Sequence, residues 1–244
     1  MHKPCAIVPV YNHERAITSV VEALIACSLP CILVDDASDQ ACAQVLDRLA
    51  GRESVYLIRL AANQGKGGAV MTGLREASRL GFTHALQVDA DGQHDLQDVA
   101  LFIEQSLTHP ESVICGYPQY DASVPKGRLY ARYLTHVMVW INTLSLQIRD
   151  SMCGFRVYPL PPTLALIDSA KIGKRMDFDS DILVRLAWRN QPMRWLPTKV
   201  HYPLDGVSHF RMFHDNVLIS SMHTRLFFAM LLRAPLILWR RWRA

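Results

Sequence analysis

The sequence predicts an α/β fold built around a doubly wound, largely parallel sheet. Three observations predict it. Short β-branched segments alternate with segments whose apolar residues recur at helical spacing, half of the 244 residues are hydrophobic, and polar motifs follow several predicted strands directly. Ligands of such a sheet bind at the carboxyl ends of its strands, so we expect the polar motifs to meet there.

Strands and helices are predicted in alternation through the first half of the chain. Each strand is a short, mostly apolar run, and these runs span residues 5–10, 31–34, 55–59, 85–88 and 112–115. Helices with apolar residues at positions i, i+3 and i+4 are predicted between them, over residues 15–27, 41–49, 69–80 and 96–107. Parallel strands need such crossovers, and helices usually supply them.

The second half of the chain is less regular. A long helix is predicted over residues 127–148 and a shorter one over residues 179–188. Pro159, Pro161 and Pro162 are interpreted as a break between them. The prediction is one domain over residues 1–210, followed by a C-terminal segment over residues 211–244.

The C-terminal segment is predicted to be an amphipathic, basic helix that lies on a membrane. Its apolar runs, over residues 217–222, 226–232 and 234–239, are interrupted by Arg225 and Arg233, so no uncharged stretch reaches the ~20 residues of a spanning helix. Residues 205–244 also carry the whole excess charge of +4. An interfacial helix with Trp239 and Trp242 among the headgroups fits this pattern, and packing on the core or on another subunit is the alternative.

The composition of the chain predicts which kinds of partner the protein has and where in the cell it is found. A nucleic-acid-binding protein usually spreads basic residues over one face, whereas here they are confined to one end, so no nucleic-acid partner is expected. The six cysteines show no CxxC pair and no metal-ligand spacing, which indicates reduced core thiols. The apolar run at residues 5–10 is too short for a signal peptide. We therefore expect a protein bound peripherally to the cytoplasmic face of the cell membrane.

A pair of carboxylates follows the fourth predicted strand, in the segment Asp89-Ala90-Asp91-Gly92-Gln93. On a turn that Gly92 permits, the two side chains can converge on one hard cation, Mg²⁺ or Mn²⁺, and leave coordination positions for substrate phosphates. Such a cation would offset the charge that builds up on a departing diphosphate. An Asp-x-Asp pair also occurs in ordinary surface turns, so its place at a strand end carries the prediction.

Two further motifs follow predicted strands. Asp35 and Asp36 close the second strand, where a carboxylate can bind a ribose or a base, and where Asp36 or Ser38 can equally cap the next helix. Residues 63–68, Asn-Gln-Gly-Lys-Gly-Gly, lead into a helix. Glycine N–H groups at a helix start, together with Lys66, make an anion site, and an ordinary glycine turn is the alternative.

In this order the motifs resemble the family 2 glycosyltransferases of GT-A fold. The resemblance rests on residues 7–12 (Ile-Val-Pro-Val-Tyr-Asn), 34–38 (Val-Asp-Asp-Ala-Ser), 63–67 and 89–94. Residues 150–156, Asp-Ser-Met-Cys-Gly-Phe-Arg, are similar to a motif of the branch that makes dolichyl- and polyprenyl-phosphate sugars. Each motif is weak alone, whereas the set in consistent order is specific.

The resemblance implies roles for individual residues. Those implied to line the nucleotide pocket are Pro9, Tyr11, Asp36 and Lys66, with Asp36 on the base or the ribose. Those implied to hold the metal and the diphosphate are Asp89, Asp91 and Gln93. On the acceptor side, Asp150 and Arg156 are implied to order the pocket. The implied ligands of an acceptor phosphate are Arg128 and Arg132.

Two departures from this branch remove positive charge from the acceptor side. Gly116-Tyr117-Pro118 stands where the branch usually has Gly-Ser-Arg, and Pro203 and His209 stand where it has Arg and Lys. His209 is still a candidate for a phosphate contact. A hydroxyl acceptor on a lipid or a polyene is therefore an alternative to a lipid phosphate.

Asp179 and Asp181 are candidates for a general base, because with Asp177 they form a cluster at the start of a predicted helix. A favourable interaction with the helix N-terminus is the alternative explanation. A phosphate acceptor is already partly dianionic near neutral pH and needs little base, whereas a hydroxyl acceptor needs a positioned carboxylate.

Taken together, the motifs predict an inverting, metal-dependent hexosyltransferase that moves a sugar from a UDP- or GDP-linked donor to a lipid-linked acceptor. Asp91 and Asp150 are predicted to take part in catalysis, beside Asp179 and Asp181. A module of GT-A fold that only scaffolds a membrane complex is an alternative from another class, and the intact carboxylates of the motifs argue against it.

Overall fold

The computed structural model describes residues 1–119, 126–199 and 211–242, with the backbone alone at residues 126–131 and 241. The strands are β1 (Pro4–Val10), β2 (Cys31–Asp35), β3 (Val55–Arg59), β4 (His84–Gln87), β5 (Val113–Gln119), β6 (Arg156–Pro159) and β7 (Met193–Lys199). The helices are α1 (Ile17–Ala26), α2 (Gln40–Ala50), α3 (Lys66–Arg79), α4 (Val99–Thr108), α5 (Lys126–Thr143), α6 (Leu160–Ser169), α7 (Phe178–Trp188) and α8 (Met212–Trp242).

The seven strands form one sheet in the order β3-β2-β1-β4-β6-β5-β7. Only β6 runs antiparallel to its neighbours, β4 and β5, among the strand pairs of the described residues. The predicted α/β fold with a mostly parallel sheet is therefore confirmed.

The hydrophobic core lies in two layers, one on each face of the sheet. Because side chains alternate along a strand, Cys5 and Ile7 of β1 face one layer, and Ala6 and Val8 face the other. The first layer is packed by α3, α5, α6, α7 and α8, and the second by α1, α2 and α4. With both faces covered, the carboxyl ends of the parallel strands are where polar groups can collect.

The proline-rich stretch is not a break, and the structure corrects that prediction. Pro161 and Pro162 lie in the first turn of α6, where a missing N–H costs no helical hydrogen bond. The structure also contains two strands, β6 and β7, that the sequence analysis does not predict. Pro197 lies within β7, which a sheet tolerates because β7 is an edge strand.

The long helix α5 ends at Thr143 rather than at residue 148. Leu144 follows with a φ of 52°, a left-handed conformation that cannot continue a helix. None of the six cysteines is in a disulfide in this structure, and all except Cys27 are buried.

The C-terminal segment forms one continuous helix, α8, although Pro235 lies inside it. Met222, Leu226 and Met230 are buried at four-residue spacing, so this part of α8 packs along the body of the protein against α5 and α7. Large apolar residues further along are exposed: Leu231, Leu232, Leu236, Leu238, Trp239 and Trp242.

By length and composition, Met212–Arg240 is the one segment in the described part of the chain that is long and apolar enough to cross a membrane. Residues 200–210, where the predicted domain boundary falls, lie outside the described residues. The division at residue 210 therefore stays a prediction.

Candidate active site

Polar side chains converge at the carboxyl ends of β1, β2 and β4. Asp36 follows β2, Asp89 lies two residues beyond β4, and Lys66 begins α3. Because β1 lies between β2 and β4 and is parallel to both, these ends lie at one edge of the sheet. The predicted motifs therefore meet where a doubly wound sheet binds its ligand.

The ammonium group of Lys66 lies between two carboxylates. Its Nζ is 2.9 Å from both Oδ atoms of Asp89 and 2.9 Å from Oδ2 of Asp179. Burial alone would lower the pKa of Lys66, but Asp179 and Asp89 outweigh burial and raise it. Burial alone would raise the pKa of Asp89, but Lys66 and His94 hold it well below its ordinary range. Lys66 and Asp89 are therefore both charged near neutral pH.

Asp179, in the first turn of α7, is also held by β4 and β6. Nε2 of Gln87 donates a hydrogen bond to its Oδ1 at 3.1 Å, and Arg156 donates to its backbone oxygen at 2.7 Å. Gln87 is completely buried, and its Oε1 accepts from the hydroxyl of Tyr158 at 3.4 Å. Gln87 is not among the residues predicted from the sequence, although one amide within an apolar strand just before an Asp-x-Asp pair is a usable signal.

Because Gly154 has no side chain, there is room beside it for Lys66 and Asp89. A Cβ at this position would lie 2.8 Å from Nε2 of Gln87, 2.9 Å from Nζ of Lys66 and 3.1 Å from Oδ1 of Asp89. The first two distances are shorter than real Cβ contacts, so a side chain here would displace site groups. The motif at residues 150–156 therefore lies directly against Lys66 and Asp89.

The carboxylate of Asp36 fixes the glycine-rich loop. Its Oδ1 accepts from the backbone N–H of Gln64 at 2.6 Å, and its Oδ2 accepts from that of Gly65 at 2.8 Å. Burial raises the pKa of Asp36, and these two N–H groups oppose the rise. The predicted contact of Asp36 with a base or a ribose is an additional role that stays a prediction.

The cap of α2 is Asp39, whose side chain accepts from the backbone N–H of Cys42 at 2.9 Å. The alternative in which Asp36 or Ser38 caps this helix is therefore wrong. Ser38 instead donates its N–H to Oδ1 of Asp35 at 2.8 Å, and Arg59 binds the other oxygen of Asp35 at 2.8 Å.

Asp91 and Asp89 differ in their surroundings. Asp91 is half-buried, and its Oδ1 accepts from the backbone N–H of Gln93 at 3.0 Å in a turn where Gly92 has a φ of 70°. Asp89, in contrast, is paired with Lys66. Gln93 itself is half-buried.

A hard cation at Asp89 and Asp91 would share Asp89 with the ammonium of Lys66, which lies 2.9 Å from both of its Oδ atoms. Within residues 1–119, 126–199 and 211–242, no group of three or more His, Cys, Asp or Glu side chains could hold a metal ion. Asp89 and Asp91 would thus supply two carboxylates at most, and phosphate and water would complete the coordination. Mg²⁺ is commonly bound in this way, through one or two carboxylates plus substrate phosphates.

Asp150 is buried and ion-paired with α5. Its Oδ2 lies 2.7 Å from Nε and 2.6 Å from an Nη of Arg132, and 3.5 Å from Nε2 of His136. Its Oδ1 accepts from the backbone N–H groups of Met152 and Cys153 at 2.8 and 2.7 Å. Burial would raise the pKa of Asp150, but His136 and Arg132 lower it to about 2. Asp150 therefore fixes Arg132 against the loop that contains Gly154.

Two predicted site residues lie in the interior of the protein. Arg156 is fully buried and donates to the backbone oxygens of Asp179 and Ser151. Asp181 is also fully buried, and it accepts from a backbone N–H at 2.9 Å and from Nε of Arg185 at 2.5 Å. Both side chains are shielded from solvent in this structure, and the roles predicted for Arg156 in ordering the acceptor side and for Asp181 as a general base stay predictions.

The remaining predicted residues lie at the same edge or outside the described part. Pro9 is half-buried in β1 opposite Val34, and Tyr11, 37% exposed, follows the end of β1. Arg128 lies in α5, but its side chain is outside the described residues, as is the whole of His209. The roles of Arg128 and His209 stay predictions.

Comparison with known proteins identifies the family of this chain. The model of the family described as Glycosyl transferase family 2 matches residues 5–172. A UDP-N-acetylglucosamine–dolichyl-phosphate N-acetylglucosaminyltransferase from Methanococcus voltae is 26% identical over 200 residues, which cover 73% of this chain and 77% of the relative. A dolichyl-phosphate β-glucosyltransferase from Drosophila melanogaster is 27% identical over 218 residues, covering 78% of this chain and 65% of the relative.

Solved structures show the same fold. The crystal structure of glucosyl-3-phosphoglycerate synthase from Mycobacterium tuberculosis, in complex with Mn²⁺ and UDP-glucose, superposes with a TM-score of 0.66 at 13% identity. The match covers 95% of this chain and 78% of the synthase chain. Since the family match spans well over half of the sequence and includes Asp36, Lys66, Asp89 and Asp150, the chain belongs to glycosyl transferase family 2 and is a glycosyltransferase.

Proposed function

We propose that this glycosyltransferase moves a sugar from a nucleotide-sugar donor to a lipid phosphate of the polyprenyl type, with inversion and with a divalent cation. The observation that carries the proposal is the cluster of Lys66, Asp89 and Asp179 at the carboxyl ends of the central strands. Two relatives named for transfer to dolichyl phosphate support the class of acceptor.

The donor diphosphate binds at the start of α3 in this proposal. The first N–H groups of a helix attract anions, and Lys66 adds a full positive charge at the same place. Asp36 keeps the preceding loop in shape through its two backbone hydrogen bonds. A uridine nucleotide is favoured because the related synthase structure contains UDP-glucose, and a GDP-linked donor is the second candidate.

A divalent cation, Mg²⁺ or Mn²⁺, would be held by Asp91 and Asp89, with Gln93 beside them. When bound, it offsets the negative charge of the departing diphosphate. The Mn²⁺ in the related synthase structure supports this part of the proposal. Lys66 acts on the same charge from the protein side, because its ammonium is fixed by Asp89 and Asp179.

The reaction forms a bond between an acceptor phosphate oxygen and the anomeric carbon. The bond from that carbon to the diphosphate breaks on the opposite side, and its electron pair leaves with the nucleoside diphosphate. A phosphate oxygen is already ionised near neutral pH, so no general base is required. Asp179 then serves as an anchor of Lys66, and Arg132, fixed by Asp150, offers positive charge to the acceptor phosphate.

The enzyme works at the cytoplasmic face of the membrane in this proposal, with α8 in the interface. Because Met222, Leu226 and Met230 pack against the body, that stretch of α8 lies along the protein instead of among lipid tails. The exposed end of the helix, with Trp239 and Trp242, then reaches the headgroups.

The decisive experiment measures transfer from radiolabelled UDP-glucose, UDP-N-acetylglucosamine or GDP-mannose to undecaprenyl phosphate in detergent, with Mg²⁺ or Mn²⁺. We expect a product that mild acid cleaves, as a glycosyl phosphate does. Asp91→Asn should lower the rate about a hundredfold, because a cation ligand at the leaving group is lost. The matched control is Asp168→Asn, whose carboxylate is 66% exposed in a surface ion pair and whose loss should leave the rate unchanged.

Two outcomes would contradict the proposal. An Asp91→Asn enzyme with full activity would rule out the assigned cation site. An acid-stable product formed on a lipid alcohol, with no transfer to the phosphate, would establish the hydroxyl acceptor instead.

A further inference from the structure

An open apolar groove of about 550 Å³ lies at the carboxyl end of α5. The residues that line it are Val137, Trp140, Ile141, Leu144, Ser145, Leu146 and Gln147. Ile141 is 40% exposed and Leu146 is 76% exposed. Contiguous exposed apolar side chains are unfavourable in water, so a groove of this kind indicates a binding surface.

One side of α5 changes from charged to apolar on the way to this groove. Arg132, His136 and Trp140 are four residues apart, so their side chains follow one another along the helix. Arg132 and His136 contact Asp150, the rings of His136 and Trp140 are stacked with centroids 6.4 Å apart, and Trp140 lines the groove. The helical rise places Trp140 ~12 Å beyond Arg132.

We infer that this groove receives the isoprenoid chain of the lipid acceptor while its phosphate lies toward Arg132. The inference rests on the proposed function and adds the place of the hydrocarbon chain. A prenyl phosphate changes from an anion to a hydrocarbon along its length, as α5 changes from Arg132 to the groove. The guanidinium of Arg132, although paired with Asp150, offers hydrogen-bond donors to a phosphate, and the apolar groove beside it matches the hydrocarbon chain.

The length of the acceptor gives the test. We would compare KM for undecaprenyl phosphate with KM for dimethylallyl phosphate, whose single isoprene unit is too short to reach from Arg132 to Trp140. The variant is Ile141→Ser combined with Leu146→Ser, both exposed enough to leave folding intact. The matched control is Leu107→Ser, 59% exposed on α4 in the opposite layer.

In detergent micelles, the double variant should raise KM for undecaprenyl phosphate about tenfold, because two apolar contacts with the chain are lost. Its kcat and its KM for dimethylallyl phosphate should stay near the wild-type values, and Leu107→Ser should change neither constant. A thermal unfolding temperature equal to that of the wild type confirms that the variant is folded.

An unchanged KM for undecaprenyl phosphate in the double variant would overturn the inference and leave the proposed function standing. A variant that keeps its micellar KM but loses binding to phosphatidylglycerol vesicles would also overturn it, since the groove would then meet the bilayer. A wild-type enzyme that transfers sugar to neither phosphate would instead refute the proposed function, and the inference with it.

Discussion

At Lys66, one ammonium group lies between two carboxylates and offsets their mutual repulsion. The three side chains come from α3, from the turn after β4 and from α7, and all three are mostly shielded from water. Each charge is tolerable there only because the opposite charge lies within hydrogen-bond distance.

Lys66→Met should lower the free energy of unfolding by about 2 kcal/mol, because Asp89 and Asp179 would lose their counter-charge while partly buried. Urea denaturation at neutral pH measures this loss. Arg75→Met is the matched control, since Arg75 and Asp168 form an exposed pair worth less than about 0.5 kcal/mol. Equal losses in the two variants would show that Lys66 does not hold the cluster.

Asp150 should make stability depend on pH in the acid range. Its pKa falls from the ordinary 3.8 to about 2 in the folded protein, so its contribution is complete above pH ~4 and is lost as pH falls toward 2. The stability difference between the wild type and Asp150→Asn should therefore shrink by about 2 kcal/mol between about pH 5 and pH 2. Circular dichroism in urea at several pH values measures it, and a constant difference would contradict the pairing with Arg132.

At the scale of elements, the loop before β6 joins the two halves of the site. Asp150 at its start holds α5, and Gly154 near its end lies against Lys66 and Asp89. A displacement of this loop would therefore move Arg132 and the pair of Lys66 and Asp89 together.

Gly154→Ala should lower the rate of transfer about a hundredfold, because a small displacement of reacting groups costs that much in a positioned site. The added Cβ would lie within 3.1 Å of three site groups. Gly51→Ala is the control, since its Cβ would meet only the backbone oxygen of Arg48, at 3.5 Å. Steady-state kinetics, together with a thermal unfolding measurement, distinguishes a loss of activity from a loss of folding. Full activity in Gly154→Ala would contradict the close approach of Gly154 to Lys66 and Asp89.

At the scale of the whole molecule, positive charge and exposed apolar surface coincide in α8. The chain is otherwise balanced in charge, so the excess of +4 lies at the end that also exposes Trp239 and Trp242. A surface of this composition suits anionic lipid.

Trp239→Ala combined with Trp242→Ala should weaken binding to phosphatidylglycerol vesicles about tenfold, because two interfacial anchors are lost. Wild-type binding should also weaken as salt is added, since the arginines of α8 are screened. Co-sedimentation with phosphatidylglycerol and phosphatidylcholine vesicles measures both effects, with Leu107→Ala as the control. Equal binding to both lipids, or none, would favour packing of α8 on a second copy.

The sequence by itself determined the central strands, the helices between them and the polar motifs at the strand ends, because these depend on local periodicity and on spacing along the chain. Only the tertiary structure decided which groups the motif residues contact. The positions of β6 and β7 depend on contacts between distant segments, and so do the burial of Arg156 and Asp181 and the meeting of Lys66 with Asp179. A pattern of residue types shows which groups are available, whereas burial and charge partners, set by the whole fold, decide which of them can reach a substrate.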